Sequence, residues 1–176
     1  MSEYTKDELI KLVQENPETF NSWKKDRDDI DLSEVDFSNV VLNEVDFSNV
    51  DLNSSSFADS NLTEVNFNNC DLTSVDFTRA NLVECDFTDA LLPSVDFSYA
   101  VVNYCTFNDA DVAGCIFEES DLSNSDFSAS INMGACRFDS ETVWPDSDLL
   151  PENFDSTYND DLSSLKDDED SVPSDY

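Results

Sequence analysis

The chain has 176 residues, with 41 Asp and Glu against 8 Lys and Arg and a formal net charge of −33. That balance excludes a nucleic-acid-binding surface of the usual basic kind, because phosphates are held by Lys and Arg, and it disfavours docking on anionic membranes. Histidine is missing and glycine occurs only at Gly114 and Gly134, which removes the commonest general base, the commonest metal ligand and any Gly-rich phosphate loop.

The first elements in chain order are helical. Thr5-Lys6-Asp7-Glu8 fits a capping box, with Leu9, Ile10, Leu12 and Val13 following at helical spacing. Asn16-Pro17 reads as the N-cap and first residue of a second short helix that carries Phe20 and Trp23. The acidic N-terminus lacks the form of a signal peptide, and no apolar run approaches the length of a spanning helix, so no membrane contact is expected. Residues 1–29 are expected to form a helical cap on the repetitive segment that begins at residue 30.

From Leu32 to Phe127 a large apolar residue stands at every fifth position, and it alternates: Leu32, Phe37, Leu42, Phe47, Leu52, Phe57, onward to Phe117, Leu122 and Phe127. Two residues earlier in each unit stands Val, Ala, Cys, Ser or Ile, as in Ile30, Val35 and Val40. A period of five matches neither 3.6 nor 2.0, so no ordinary amphipathic helix or strand explains it. Each unit reads small, polar, large, polar, polar, as in VDFSN and CDLTS. Two side chains of five point inward, so the chain must turn between units, and units that cannot bury their own apolar side must stack. Four units closing a twenty-residue coil place like on like: Leu32, Leu52, Leu72 and Leu92 form one column and Phe37, Phe57, Phe77 and Phe97 the next. A fifteen-residue coil would mix Leu and Phe in every column. Residues 30–138 are expected to form this solenoid.

The count breaks after Phe127, where it would place Asn132 and Arg137 in the core. One extra residue restores it, with a bulge at 128–132, Met133 and Phe138 in the large positions, and Ile131 and Cys136 in the small ones. Residues 139–154 are expected to cap the far end, with Trp144, Leu149, Leu150 and Phe154 as candidate plugs. Residues 155–176 read as an acidic, solvated tail in which Tyr158, Leu162 and Leu165 mark a helical turn or two. The cysteines (Cys70, Cys85, Cys105, Cys115 and Cys136) lack C-x-x-C spacing and mostly hold the small inward position, so they read as buried reduced thiols, which fits a cytoplasmic location.

The units resemble the pentapeptide repeat family, whose consensus is A-(D/N)-L-x-x, over about 100 residues. The closing FDSETVWPDSDLLPENF resembles the segment that often ends such repeats. The resemblance implies an all-β solenoid: a right-handed quadrilateral β-helix, here of about five to six coils with an N-terminal helical cap. The family includes quinolone-resistance proteins that imitate duplex DNA and bind DNA gyrase. No loop interrupts the units and no C-terminal dimerisation helix is legible, two features that some of those proteins have.

Function must lie on the surface. Asp in the second place of each unit is family consensus, whereas acids in the fifth place are not, and Glu44, Glu64 and Glu84 fall in one column. Like charges stacked about 5 Å apart destabilise a sheet, so this column is a candidate partner-binding site. Residues 30–138 hold 20 acids and two bases, roughly one net charge per 1.3 Å of a rod about 24 Å long, beside about 1.7 Å for duplex DNA. A second candidate comprises apolar residues in outward places: Val83, Leu91, Pro93, Tyr99, Val101, Tyr104 and Ile116, of which Val83, Val101 and Tyr104 share one side.

Catalysis is not expected, since the core is filled and nothing supplies a pocket; no cofactor is implied, and stacked Asp columns lack a loop that would wrap Ca²⁺. The leading expectation is a non-catalytic acidic rod that binds a basic protein surface, such as that of a type II topoisomerase. The alternative is a scaffolding protein or homodimer that uses the apolar patch.

Overall fold

Hydrogen bonding at a separation of twenty residues organises this chain. The structure, a computed structural model, describes residues 4–27 and 29–155. The expected acidic tail, with Tyr158, Leu162 and Leu165, lies outside the described residues apart from Asp155. Parallel bridges join residues twenty apart in four columns, exemplified by Asp31–Asp51–Asp71, Asp36–Ser56–Asp76, Val41–Asn61–Asn81 and Asp46–Asn66–Asp86. The inter-coil backbone bonds are normal N–H···O distances, for example 2.8 Å from Phe47 N to Asn66 O and 2.9 Å from Asn66 N to Val45 O.

Each unit turns for a local reason. In most units, though not those of Leu42, Leu62, Leu82 and Val102, the carbonyl of the large residue accepts the N–H of the small residue three positions on, as in Val50 N to Phe47 O at 2.9 Å, while the intervening fifth-place residue Asn49 has φ 59°. That is the pattern of a type II turn, whose third residue needs positive φ. The second-place Asp sets up the turn: its Oδ1 accepts the N–H two residues on, at 3.0 Å for Asp51 and Asn53 and 2.8 Å for Asp96 and Ser98. One face differs. Its second places hold Val41, Asn61, Asn81 and Val101, which make no such bond. There the chain runs extended as β1 (Val41–Asn43), β2 (Asn61–Thr63), β3 (Asn81–Val83) and β4 (Val101–Asn103), paired in that order.

The interior is a double phenylalanine stack. Phe37, Phe57, Phe77, Phe97 and Phe117 stack with centroids 5.1–5.4 Å apart and ring planes nearly parallel. Phe47, Phe67, Phe87, Phe107 and Phe127 do the same at 4.2–5.6 Å. Between the columns the rings meet edge to face, as Phe67 and Phe77 do at 5.8 Å. Burying each ring contributes about 1.5–3 kcal/mol.

The inserted residue after Phe127 is real, but its detail differs from expectation. Asp111 still pairs with Ile131, twenty residues on, whereas Ile116 pairs with Arg137 at twenty-one. Ser130, 8% exposed, holds the small place, and Ile131 points outward at 49% exposure. The extra residue is Asn132, at φ 62°, which lets Met133 swing into the core. A small inward place suits Ser130, whose Oγ donates to Phe127 O at 2.8 Å, better than a β-branched Ile.

At the N-terminal end α1 (Lys6–Glu15) and α2 (Pro17–Lys24) cover the first coil, with the Thr5/Glu8 capping box and the Asn16 cap formed as the sequence predicts. Leu9, Val13 and Phe20 are buried, and Phe20 meets Phe47 at 5.8 Å. At the other end Trp144, Leu150 and Phe154 pack against the core, and Leu149 supplies a carbonyl to Phe127 N at 2.8 Å.

Candidate functional site

The exposed end of each unit is its fifth residue, and from Glu34 to Asn124 the fold holds it in the left-handed region. Nineteen non-glycine residues among those described have positive φ, including Glu44 (54°), Glu64 (52°), Glu84 (56°) and Tyr104 (56°); Gly114 takes the same place at 71°. Asn and Asp tolerate that conformation, so the backbone itself explains Asn39, Asn49, Asp59, Asn69 and Asp89. It does not explain glutamate or tyrosine. This separates two kinds of fifth-place acid that sequence reading grouped together, and it leaves the Glu44–Glu64–Glu84 column without a conformational reason.

The structure places those three carboxylates on the strand face, all exposed and one coil apart. Their N–H groups bond to the next coil, Glu44 to Thr63 O at 3.0 Å, Glu64 to Val83 O at 2.9 Å and Glu84 to Asn103 O at 3.0 Å. Among the described residues no Lys or Arg pairs with them. Both bases of residues 30–138 are engaged on the preceding face: Arg79 grips Asp59 through Nε at 2.7 Å and Nη2 at 2.9 Å, and Arg137 meets Glu118 at 2.6 Å. Cap lysines answer two more acids, Lys6 on Asp31 at 3.4 Å and Lys24 on Asp46 at 3.2 Å. The remaining carboxylates are distributed over all four bridge columns, and the column of the strands carries the fewest of them.

Tyr104 is the next member of the glutamate column, so the two candidate sites meet. Tyr104 is 64% and Val101 37% exposed, and Val83 is half-buried. Tyr99 (52%), in the same coil, ends the preceding face at the corner next to the strand face, in the column of Asp59 and Arg79. Sequence reading missed Val41, at 64% exposure, although it occupies an outward second place just as Val101 does. Val143, half exposed, pairs with Asp121 at a separation of twenty-two, which the simple count could not place.

The hydrogen bonds of the turns set the carboxylate energetics. Ser33 hydroxyl and amide donors hold Asp31 below the usual carboxylate range, and Ser38 does the same for Asp36. Burial alone would raise Asp46, but Ser48 and the Lys24 charge together carry it below. The cysteine sulfurs are buried; Cys70 Sγ lies 2.8 Å from Phe47 O, and burial pushes its thiol up to about 12, far from a reactive thiolate. A cleft of about 480 Å³ at the C-terminal end is lined by Ser130, Met133, Phe138 and Phe154. Among the described residues no three acidic or sulfur side chains converge as metal ligands, and no helix is long and apolar enough to cross a membrane.

Comparison with known proteins gives the family. The likeness to solved structures includes a trypsin-treated form of QnrB1, a plasmid-mediated fluoroquinolone resistance protein, at 22% identity over 62% of this chain and 57% of that one, TM-score 0.42. HetL, a pentapeptide repeat protein involved in heterocyst differentiation regulation in the cyanobacterium Nostoc, matches at 15% identity over 73% of this chain and 60% of that one, TM-score 0.38. A pentapeptide repeat protein of the Arabidopsis thaliana thylakoid lumen matches at 27% identity over 59% and 68%, TM-score 0.25. The chain thus spans less than two thirds of the length of the first two. A search of curated protein sequences finds no match. The family model for the pentapeptide repeat region matches residues 30–107 and 60–140. Proteins of this kind fold as right-handed β-helices, and this chain belongs to the pentapeptide repeat family.

Proposed function

We propose that this protein is a non-catalytic binding module whose acidic rod engages a basic, DNA-binding protein surface by imitating duplex DNA, a type II topoisomerase such as DNA gyrase being the partner tested first. The observation that carries the reading is the Glu44–Glu64–Glu84 column. It is exposed, one coil apart, lacks a basic partner among the described residues and sits where the backbone gives glutamate no advantage. Retaining like charges at that spacing costs stability, so a partner's cations are the natural recipient. The same reading takes the four bridge columns as the sides of a quadrilateral coil, repeated five to six times, which fixes carboxylates along a straight axis as DNA fixes phosphates. A filled phenylalanine core argues against catalysis, and buried thiols fit a cytoplasmic setting.

The test is inhibition of gyrase supercoiling by the purified chain, at micromolar or lower concentration and weakened by salt. Reversing Glu44, Glu64 and Glu84 to Lys abolishes inhibition under this reading; unchanged potency sinks it. A second reading, a scaffold or homodimer built on Val83, Val101 and Tyr104, draws on the exposure of Val101 and Tyr104. It requires Tyr104→Asp to disrupt assembly at intact circular dichroism.

A further inference from the structure

One coil of the rod carries an aromatic band across the strand face. Tyr99, Val101 and Tyr104 all stand outward within six consecutive residues, at 52%, 37% and 64% exposure, and Val83 lies in the coil before, its strand partner being Asn103. Both tyrosines occupy left-handed positions, φ 62° and 56°, where Asn or Gly would be easier for the backbone. Each sits next to a glutamate in its own column. Tyr104 follows Glu84, whose N–H bonds to Asn103 O at 3.0 Å, and Tyr99 precedes Glu119, whose charge raises the phenol's pKa. The nearest base, Arg79, is committed to Asp59 by two bonds.

Three occupants could cover such a band, and charge chooses between them. A second copy at net −33 brings more carboxylate to a band already flanked by it, and residues 156–176 are themselves strongly acidic. A cationic segment relieves both glutamates. Between the two cations, arginine matches better, because its planar guanidinium pairs bidentately with a carboxylate and stacks on an aromatic face at once, whereas lysine presents a compact, strongly hydrated charge. Tyrosine beside glutamate at each edge, with Val101 and Val83 between, suits an extended segment bearing two arginines that flank an apolar residue.

We propose that the Tyr99–Val101–Tyr104 band is an arginine-selective docking site for an extended, basic segment of the protein partner. This rests on the charge reading above and names where along the rod, and by which cation, the partner is gripped.

The experiment is calorimetric titration of the full chain with octa-arginine and octa-lysine peptides at low salt, with sedimentation in parallel. Octa-arginine is expected to bind about fivefold or more tighter than octa-lysine, the scale of one or two exposed cation–π contacts. Combining Tyr99→Asn with Tyr104→Asn, substitutions those φ values accept, removes the preference and leaves octa-lysine binding unchanged. Tyr99→Phe with Tyr104→Phe keeps it. Equal affinities that the Asn variant does not alter overturn the arginine band while leaving the charge reading in place. Binding of neither peptide overturns both. A dimer that dissolves on Tyr104→Asn overturns the proposal in favour of a second copy.

Discussion

Lys24 Nζ lies 3.2 Å from Asp46 Oδ1 and 2.7 Å from Ser48 Oγ, joining the last turn of α2 to the first unit of the Asp46–Asn66–Asp86 bridge column. Lys24 is only 4% exposed, so this is a buried lysine whose charge is answered on one side. Beside it Asn21 donates to Glu44 O at 2.7 Å and accepts from Asp46 N at 2.9 Å, so α2 extends the ladder in place of a preceding coil. An open solenoid end exposes unpaired backbone, and these contacts close it.

Removing that lysine is expected to loosen the cap. Lys24→Ala loses charge-assisted bonds worth about 1.5–3 kcal/mol in all. Amide hydrogen exchange is predicted to rise first in α1, α2 and residues 44–49, with protection in β3 and β4 nearly unchanged. Uniform loss of protection would show that the cap and repeats unfold as one unit.

The phenylalanine stack sets the largest single-residue effect. Phe87 packs between Phe67 at 5.0 Å and Phe107 at 4.7 Å, edge to face with Phe77 and Phe97. Phe87→Ala is expected to cost about 3–5 kcal/mol. Phe87→Leu, which restores the residue type of the adjacent column, costs less. The denaturation midpoint measures both, and equal small shifts would contradict the packing described.

Much of this was legible in the sequence because a solenoid's long-range pairing is its period. Leu42 over Leu62 over Leu82 follows from counting by twenty, and the Thr5/Glu8 box and the Asn16-Pro17 start need only local chemistry. What the period could not show lies where it fails or where geometry enters. Ile131 looked like an inward residue because apolar type was read without the backbone that turns Asn132 to φ 62°. The contrast between fifth-place Asn and fifth-place Glu needed the φ values. The Lys24–Asp46 pair joins two segments whose relative placement no repeat encodes.

The left-handed positions give a pair of opposite-sign predictions. Gly114→Val introduces a branched side chain at φ 71°. Space is adequate, since a Cβ on Gly114 would lie 3.6 Å from Ser94 Oγ, but the backbone is strained. The substitution is expected to destabilise by about 1–3 kcal/mol. Ser74→Asn, at φ 57°, should stabilise by a few tenths of a kcal/mol to about 1 kcal/mol. Thermal midpoints moving in the same direction for both would contradict the turn assignment.

Acid should weaken the fold through its turn carboxylates. Asp31, Asp36, Asp46 and Asp139 all have folded pKa values below the ordinary one. Their contribution is fully present above the unfolded value, about 3.9, and is lost as pH falls through the lower folded values. Stability measured by urea denaturation is therefore predicted to drop below about pH 4. Asp36→Asn keeps an acceptor for the Ser38 amide but cannot titrate, so that variant should show a shallower decline.

Competition with duplex DNA for gyrase is the sharpest test of DNA imitation. A labelled duplex bound to the purified enzyme is titrated with this chain at low and at moderate salt. Imitation predicts displacement of the duplex, weaker as salt rises and abolished when Glu44, Glu64 and Glu84 are all Lys. Simultaneous binding of the chain and the duplex, or displacement that ignores those three glutamates, would contradict it.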